Sequence, residues 1–177
     1  SLLSGAESLA SRFQGIDGRM QEIRDGVNGQ IGASVTLINS YAQEIARLNE
    51  QIGNFSTADN RKPNDLLDAR DQLVADLNKQ VKATVTPGDN NSLTVSIGNG
   101  MPLVVGKRAF SLDVTTSSTD QMRVEVGYVT GSKVTVLGEN SLTGGELGGL
   151  LEFRSGALDR AQNSLGRIAL NVASSFN

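Results

Sequence analysis

Thirteen apolar residues between Leu9 and Ile52 recur every three or four positions: Leu9, Phe13, Ile16, Met20, Ile23, Val27, Ile31, Val35, Ile38, Ala42, Ile45, Leu48 and Ile52. That is helical spacing, kept for about thirteen turns. No proline interrupts Ser4 to Ile52. The stripe is only one or two residues wide per turn, which suits helix pairing better than burial in a globular core. At 1.5 Å per residue such a helix would be about 70 Å long. A compact domain of this size has a radius of gyration of about 16 Å. The spacing therefore predicts a rod.

The rod is not a strict heptad. Three steps of four in succession, from Ile23 to Val35, form a stutter that relaxes left-handed supercoiling. The same stretch holds Gly26, Gly29 and Gly32, each costing about 1 kcal/mol against alanine inside a helix. Packing against other helices must supply the order, or the helix breaks into two near these glycines.

After Ile52 the segment Gly53 to Asn60 has turn chemistry. Lys62-Pro63-Asn64-Asp65 then opens a second helix: proline suits a first turn, Asn64 can cap, and Asp65 suits the positive helix end. Its stripe is Leu66, Leu67, Leu73, Val74, Leu77 and Val81, with Arg70 on the same face and Asp71 turned away. The short connection predicts that it folds back antiparallel on the first helix.

From Lys82 the period becomes two. Ala83 and Val85, then Leu93, Val95 and Ile97, flank Pro87 to Asn91 as a hairpin. Further strands are expected at 103–105, 109–114, 122–129 and 133–137. Six short strands predict a small antiparallel sheet or partly closed barrel, spanning 82–137 and inserted into the helical pattern. A linker, Gly138 to Gly145, leads to a third helix from Glu146 onward, with the stripe Leu147, Leu151, Leu158, Ala161, Leu165, Ile168, Val172 and Phe176.

The expected fold is thus α+β: an elongated antiparallel helical bundle, residues 1–81 and 138–177, carrying an inserted β domain, 82–137. Both chain ends should lie at one end of the rod. Both fall inside helical patterns without caps, as expected of a piece of a longer helical protein.

Composition narrows the chemistry. Cysteine and histidine are both absent, which removes thiolate catalysis, disulfides, Ser-His-Asp triads and H-E-x-x-H zinc sites. Tryptophan is absent and aromatic residues are 4%, so thin packing is expected rather than a large core. A net charge of -3 argues against a nucleic-acid partner. No run of eighteen apolar residues suggests a membrane-spanning helix.

Three features resemble sites. Asp65, Asp68, Asp71 and Asp76 make an acidic group around Arg70, but their spacing does not converge three ligands, and a solvated helix face is the simpler reading. Asp89-Asn90-Asn91 lacks the glycine and glutamate of a calcium loop and reads as a hairpin turn. Gly144-Gly145-Glu146-Leu147-Gly148-Gly149 has neither the dinucleotide pattern nor a phosphate-loop lysine, and reads as a flexible joint with a helix start. No catalytic, cofactor-binding or metal residue is assigned, and no enzyme is expected.

Three segments carry a family resemblance: Ile38 to Ile52, Pro63-Asn64-Asp65-Leu66-Leu67-Asp68-Ala69-Arg70-Asp71-Gln72-Leu73-Val74, and Gly144 to Ser155. With their order, they resemble the hook-associated proteins of the bacterial flagellum and, more distantly, flagellin. The resemblance implies a structural role at the junction of hook and filament, outside the cell, after type III export. It implies as partners neighbouring copies of itself, the hook protein, a second junction protein and an export chaperone. It further implies terminal segments, absent here, that order on assembly, so this piece should be monomeric. Arg70 is expected to hold the rod by pairing with a carboxylate on the first or third helix, so that Arg70→Ala lowers the thermal midpoint. The alternatives are a flagellin-like filament or other secretion-apparatus protein, or a coiled-coil scaffold binding a partner through its seam.

Overall fold

The computed structural model describes residues 2–58 and 63–176. Asp59, Asn60 and Lys62 of the expected turn, the terminal Ser1 and Asn177, and the Phe176 side chain lie outside the described residues.

Helix α1 (Leu2–Ala58) is unbroken over 57 residues, about 86 Å at helical rise. The break considered at Gly26 to Gly32 does not occur. Val27, Ile31, Val35 and Ile38 are buried through this stretch. A methyl group on any of the three glycines would meet no atom within 4 Å. The helix is therefore held from its buried side, and the glycines look out on open space. Nor does α1 end at Gly53. Ile52 is fully buried, and its packing offsets the glycine penalty for one more turn and a half. Ile31, Ile38, Ile45 and Ile52, all fully buried, repeat every seven residues, each contributing about 2 kcal/mol of burial.

Helix α2 (Asn64–Gln80) starts after Pro63, whose carbonyl accepts the Leu66 and Leu67 N–H groups at 3.0 and 3.1 Å. Asn64 lies inside the helix and makes no cap. Arg70 meets Asn49 and Gln80 meets Ser34, so α2 runs antiparallel to α1, as the short connection required.

Among the described residues seven strands follow, in two antiparallel sheets. The first has the order β1 (Ala83–Pro87), β2 (Leu93–Ile97), β3 (Met101–Val105), β4 (Arg108–Ala109); the second is β5 (Leu112–Thr116), β6 (Val124–Thr130), β7 (Lys133–Val136). The strand expected at 109–114 is divided between them. Ala109 still pairs with Val104, while Leu112 pairs with Tyr128. At the crossing, Phe110 N–H donates to Leu103 and Ser111 accepts from Val129, so each sheet holds one side of the bend. The pairing of β2 with β3 skips Leu103, since Val95 faces Val104 and Ser96 faces Pro102. This bulge lets the successive residues Leu103 and Val104 both be fully buried. The turn between β1 and β2 takes Asn90 and Asn91 into the left-handed region, φ 53° and 59°, where asparagine is tolerated.

The third helix is one axis in three parts: α3 (Gly145–Phe153), a π turn at Arg154–Leu158, and α4 (Asp159–Phe176). The glycine-rich segment before it is a tight corner, not a slack joint. Gly145 has φ +64°, and a Cβ there would stand 2.5 Å from the Gln80 carbonyl carbon. Lys82 N–H donates to Thr143 across the same corner at 3.0 Å.

One apolar cluster joins α1 from Val27 on, α2, both sheets and α3, with Ile38, Leu77, Val95, Leu112 and Leu147 at its centre. α4 lies alongside the earlier part of α1. Its Leu165, Gly166 and Ala169 share a groove of about 450 Å³ with Phe13, Gln14 and Asp17. Its first residue, Asp159, is tied through Arg123 to the strand that meets Asn28. The two helices are therefore antiparallel, and the opening and closing segments lie side by side.

Candidate functional site

Two features distinguish this molecule: a set of polar clamps that fasten strands to α1, and exposed apolar side chains on α1 and α4.

The clamps are three asparagines, each directly after a buried seam residue: Asn28 after Val27, Asn39 after Ile38, Asn49 after Leu48. Asn39 donates to the Leu112 carbonyl at 2.8 Å and accepts the Leu112 N–H at 2.9 Å. Asn28 does the same less tightly for Met122 and Val124, at 2.9 and 3.4 Å. Asn49, 3% exposed, fills all four positions of its amide. It donates to Leu93 and Gly106, both at 2.8 Å, and accepts from the Leu93 N–H and from Arg70, both at 3.0 Å. Leu93 and Leu112 are the first residues of β2 and β5. The side-chain amide stands in for the neighbouring strand that these residues lack on that side. None of the three asparagines was singled out by sequence reasoning. The available signal was a poor helix former repeated at one place relative to the seam.

Arg70 does bind α1, but not through a carboxylate. Its Nη1 donates to Asn49 Oδ1 and to the Asn91 carbonyl, at 3.0 and 2.6 Å, and its Nε has no partner. The expected carboxylate pairing is thus corrected. The acidic residues of α1 that flank the seam point outward; Glu44, for example, pairs with Arg47 on the same helix. Burial lowers the Arg70 pKa, opposed only by the neighbouring Asp71.

Asp65, Asp68 and Asp71 are exposed on α2, and Asp76 accepts from Lys79 and Gln72. Among the described residues no group of three acidic side chains could hold a metal ion, and no helix is long and apolar enough to cross a membrane. Asp89, Asn90 and Asn91 form the turn whose carbonyl Arg70 holds. Gly144 to Gly149 build the corner described above.

Charged ties also join the strand segment to the helices. Arg24 of α1 pairs with Asp120. Arg123 donates to both oxygens of Asp159, at 3.0 and 2.8 Å, and to Glu139, which also accepts from the buried Arg154. The Met122 N–H, at 2.9 Å, and then Arg24 hold the Asp120 carboxyl below the usual value. A depressed pKa contributes stability above the unfolded value of about 4, lost as pH falls through the folded one. Asp120→Asn is therefore expected to be less stable than the parent at pH 7, with the difference closing below about pH 4. Urea unfolding at both pH values checks this; an equal gap at both would mean the charge plays no part.

The open surface lies where the apolar cluster stops. Leu2, Leu3, Ile16, Ile23, Ile168 and Leu170 are all about half exposed or more, up to 81% for Leu2. Scattered apolar residues are ordinary on surfaces; Ile16 and Ile23, seven residues apart, share one side of α1, whereas Ile168 and Leu170 lie about 160° apart around α4.

Comparison with known proteins places this architecture. The family described as the flagellar hook-associated protein FlgK helical domain matches residues 1–177. The chain belongs to this family. The flagellar hook-associated protein 1 of Salmonella typhimurium is 41% identical over the whole chain, and that of Escherichia coli is 40% identical. The chain spans about a third of these relatives, 32% and 33% of their length. The solved structure of the flagellar hook junction protein FlgK from Burkholderia pseudomallei is similar at TM-score 0.90 and 39% identity, over 98% of this chain and 32% of that one. In this helical domain, then, the clamps and the tight corner set the relative positions of helices and strands.

Proposed function

We propose that this chain is the helical rod of a structural subunit at the hook–filament junction of the bacterial flagellum, with no catalytic role. What carries this is the likeness to FlgK along the full length of the chain, in both sequence and fold. The helical parts, 1–81 and 138–177, serve as the stiff element, and 82–137 is carried on its side. The side of α1 that exposes Ile16 and Ile23, seven residues apart, supports lateral packing, because long helices join by such seams. The partners are neighbouring copies, the hook protein and a second junction protein, met outside the cell after type III export with a chaperone.

The test adds the full-length protein containing this chain to isolated hooks, followed by electron microscopy. Density at the distal end of the hook is expected. The same protein with Ile16→Asp and Ile23→Asp should keep its helical circular dichroism and fail to attach. Polymerisation without hooks would favour the flagellin-like alternative, and no attachment by the parent protein would overturn the proposal.

A further inference from the structure

We infer that the tip of the β2–β3 hairpin is a self-modifying site, where Asn99 converts to aspartate and isoaspartate with water as its only co-reactant, while the fold silences the same dipeptide at Asn28. Asparagine precedes glycine twice in this chain, at Asn28-Gly29 and at Asn99-Gly100. The pair is reactive because glycine has no Cβ to shield its nitrogen and has the backbone freedom to turn it towards the preceding side chain. The Gly100 nitrogen attacks the Asn99 Cγ. The N–Cγ bond forms, the bond from Cγ to the amide nitrogen breaks, and the glycine N–H proton leaves with that amide as ammonia. Water then opens the five-membered imide. Breaking one imide bond restores the chain with aspartate; breaking the other gives isoaspartate, in which the backbone runs through the side-chain carbons. One amide and one water are consumed, and one carboxylic acid and one ammonia are formed.

The reaction needs an unheld side-chain amide, an uncommitted N–H on the next residue and room to bring them together. Asn99-Gly100 meets all of these. Both residues are exposed, in the turn beyond the last paired rung of the hairpin, Ile97 with Met101. Among the described residues the Asn99 amide has no hydrogen-bond partner and the Gly100 N–H has no backbone acceptor. Gly100 has φ +88°, and a methyl group there would meet nothing within 4 Å. The turn is anchored one residue earlier, where a Cβ on Gly98 would stand 2.4 Å from the Ser141 carbonyl oxygen. The hairpin is therefore pinned at Gly98 and open at the dipeptide.

At Asn28 the same groups are committed. The amide donates to the Met122 carbonyl at 2.9 Å and accepts the Val124 N–H at 3.4 Å. Gly29 lies in the middle of α1, where each N–H is held by the carbonyl four residues back. Val27 and Ile31, on the seam to either side, are buried. Attack there requires α1 to open and the clamp to let go, and both cost free energy. The clamp on Met122 and Val124 thus also protects its own amide.

Conversion at Asn99 adds one negative charge to a chain of net charge -3. It does so outside every strand pair, so the Ile97–Met101 rung is kept. A chain that stays in place gains this charge with age, at one position, without an enzyme.

The test incubates the full chain, folded, in mildly alkaline buffer. Mass spectrometry follows the peptides that span Asn28 and Asn99, and anion exchange counts the added charge. Asn99 should convert about a hundredfold faster than Asn28, because only the second waits for α1 to open. In urea that unfolds the chain, the two rates should come within about threefold of each other. Asn99→Gln, whose longer side chain would have to close a six-membered ring, should lose the new anionic species while circular dichroism is unchanged. A folded-state ratio below about tenfold would overturn the assignment. So would an Asn99 rate that rises about a hundredfold on unfolding, since the turn would then shield its amide as the helix shields Asn28.

Discussion

Gly145→Ala is expected to destabilise the protein by about 4 kcal/mol. Two costs add. A non-glycine residue at φ +64° carries a left-handed strain of about 1–3 kcal/mol. The new Cβ would also stand 2.5 to 2.7 Å from three backbone atoms of Gln80 and Val81, which no rotamer change relieves. At this chain length 1 kcal/mol shifts the melting temperature by about 2–4 °C, so a fall of about 10 °C is expected in a thermal melt. Gly149→Ala is the control from the same motif. Gly149 lies inside α3, and a Cβ there meets nothing within 4 Å. Its replacement should be neutral or stabilise by up to about 1 kcal/mol. Equal effects at the two positions would mean that the corner yields, and the tight joint would be wrong.

Asn49→Ala should come next, at about 3 kcal/mol. The substitution strands the Leu93 and Gly106 carbonyls and removes one of two acceptors from Arg70. Each buried polar group left without a partner costs about 1–3 kcal/mol, and the added helix propensity of alanine returns well under 1 kcal/mol. Arg70→Ala should also lower stability, by about 2 kcal/mol, because it frees the Asn91 carbonyl. The pair should be less than additive, since each variant already breaks the contact they share. Urea unfolding of the two single variants and the double variant measures this. Full additivity, or a loss below about 1 kcal/mol for Asn49→Ala, would show that the amide is not the fastening between α1 and the first sheet.

Much of the architecture was legible in the order of residue types. The long helix, its antiparallel return, the alternating middle and the closing helix all follow from apolar period. Burial repeats along a helix or a strand whatever the partner is. Boundaries were less legible. Gly53 reads as a stop, yet α1 passes it because Ile52 is fully buried. The strand expected at 109–114 reads as one run, yet its two ends belong to different sheets, and nothing local distinguishes a strand that stays from one that crosses.

The polar contacts were hardest to read. Arg70 stands on the apolar face of its helix, where the sequence predicts a carboxylate partner; its partners are an amide and a carbonyl. Backbone carbonyls carry no sequence signature, so a side chain that binds them cannot be paired from the sequence. The same holds for Asn28, Asn39 and Asn49.

Periodicity by itself determined that this chain is a long helical pair with a strand-rich insertion, because a one-dimensional repeat of apolar residues already specifies which side of each element is dry. Only the tertiary structure decided which strand each asparagine clamps, how close Gly145 comes to Gln80, and that a π turn at Arg154–Leu158 divides the closing helix. Those outcomes depend on distances between segments far apart in the chain, and a difference of one residue in register is invisible until both surfaces are in place.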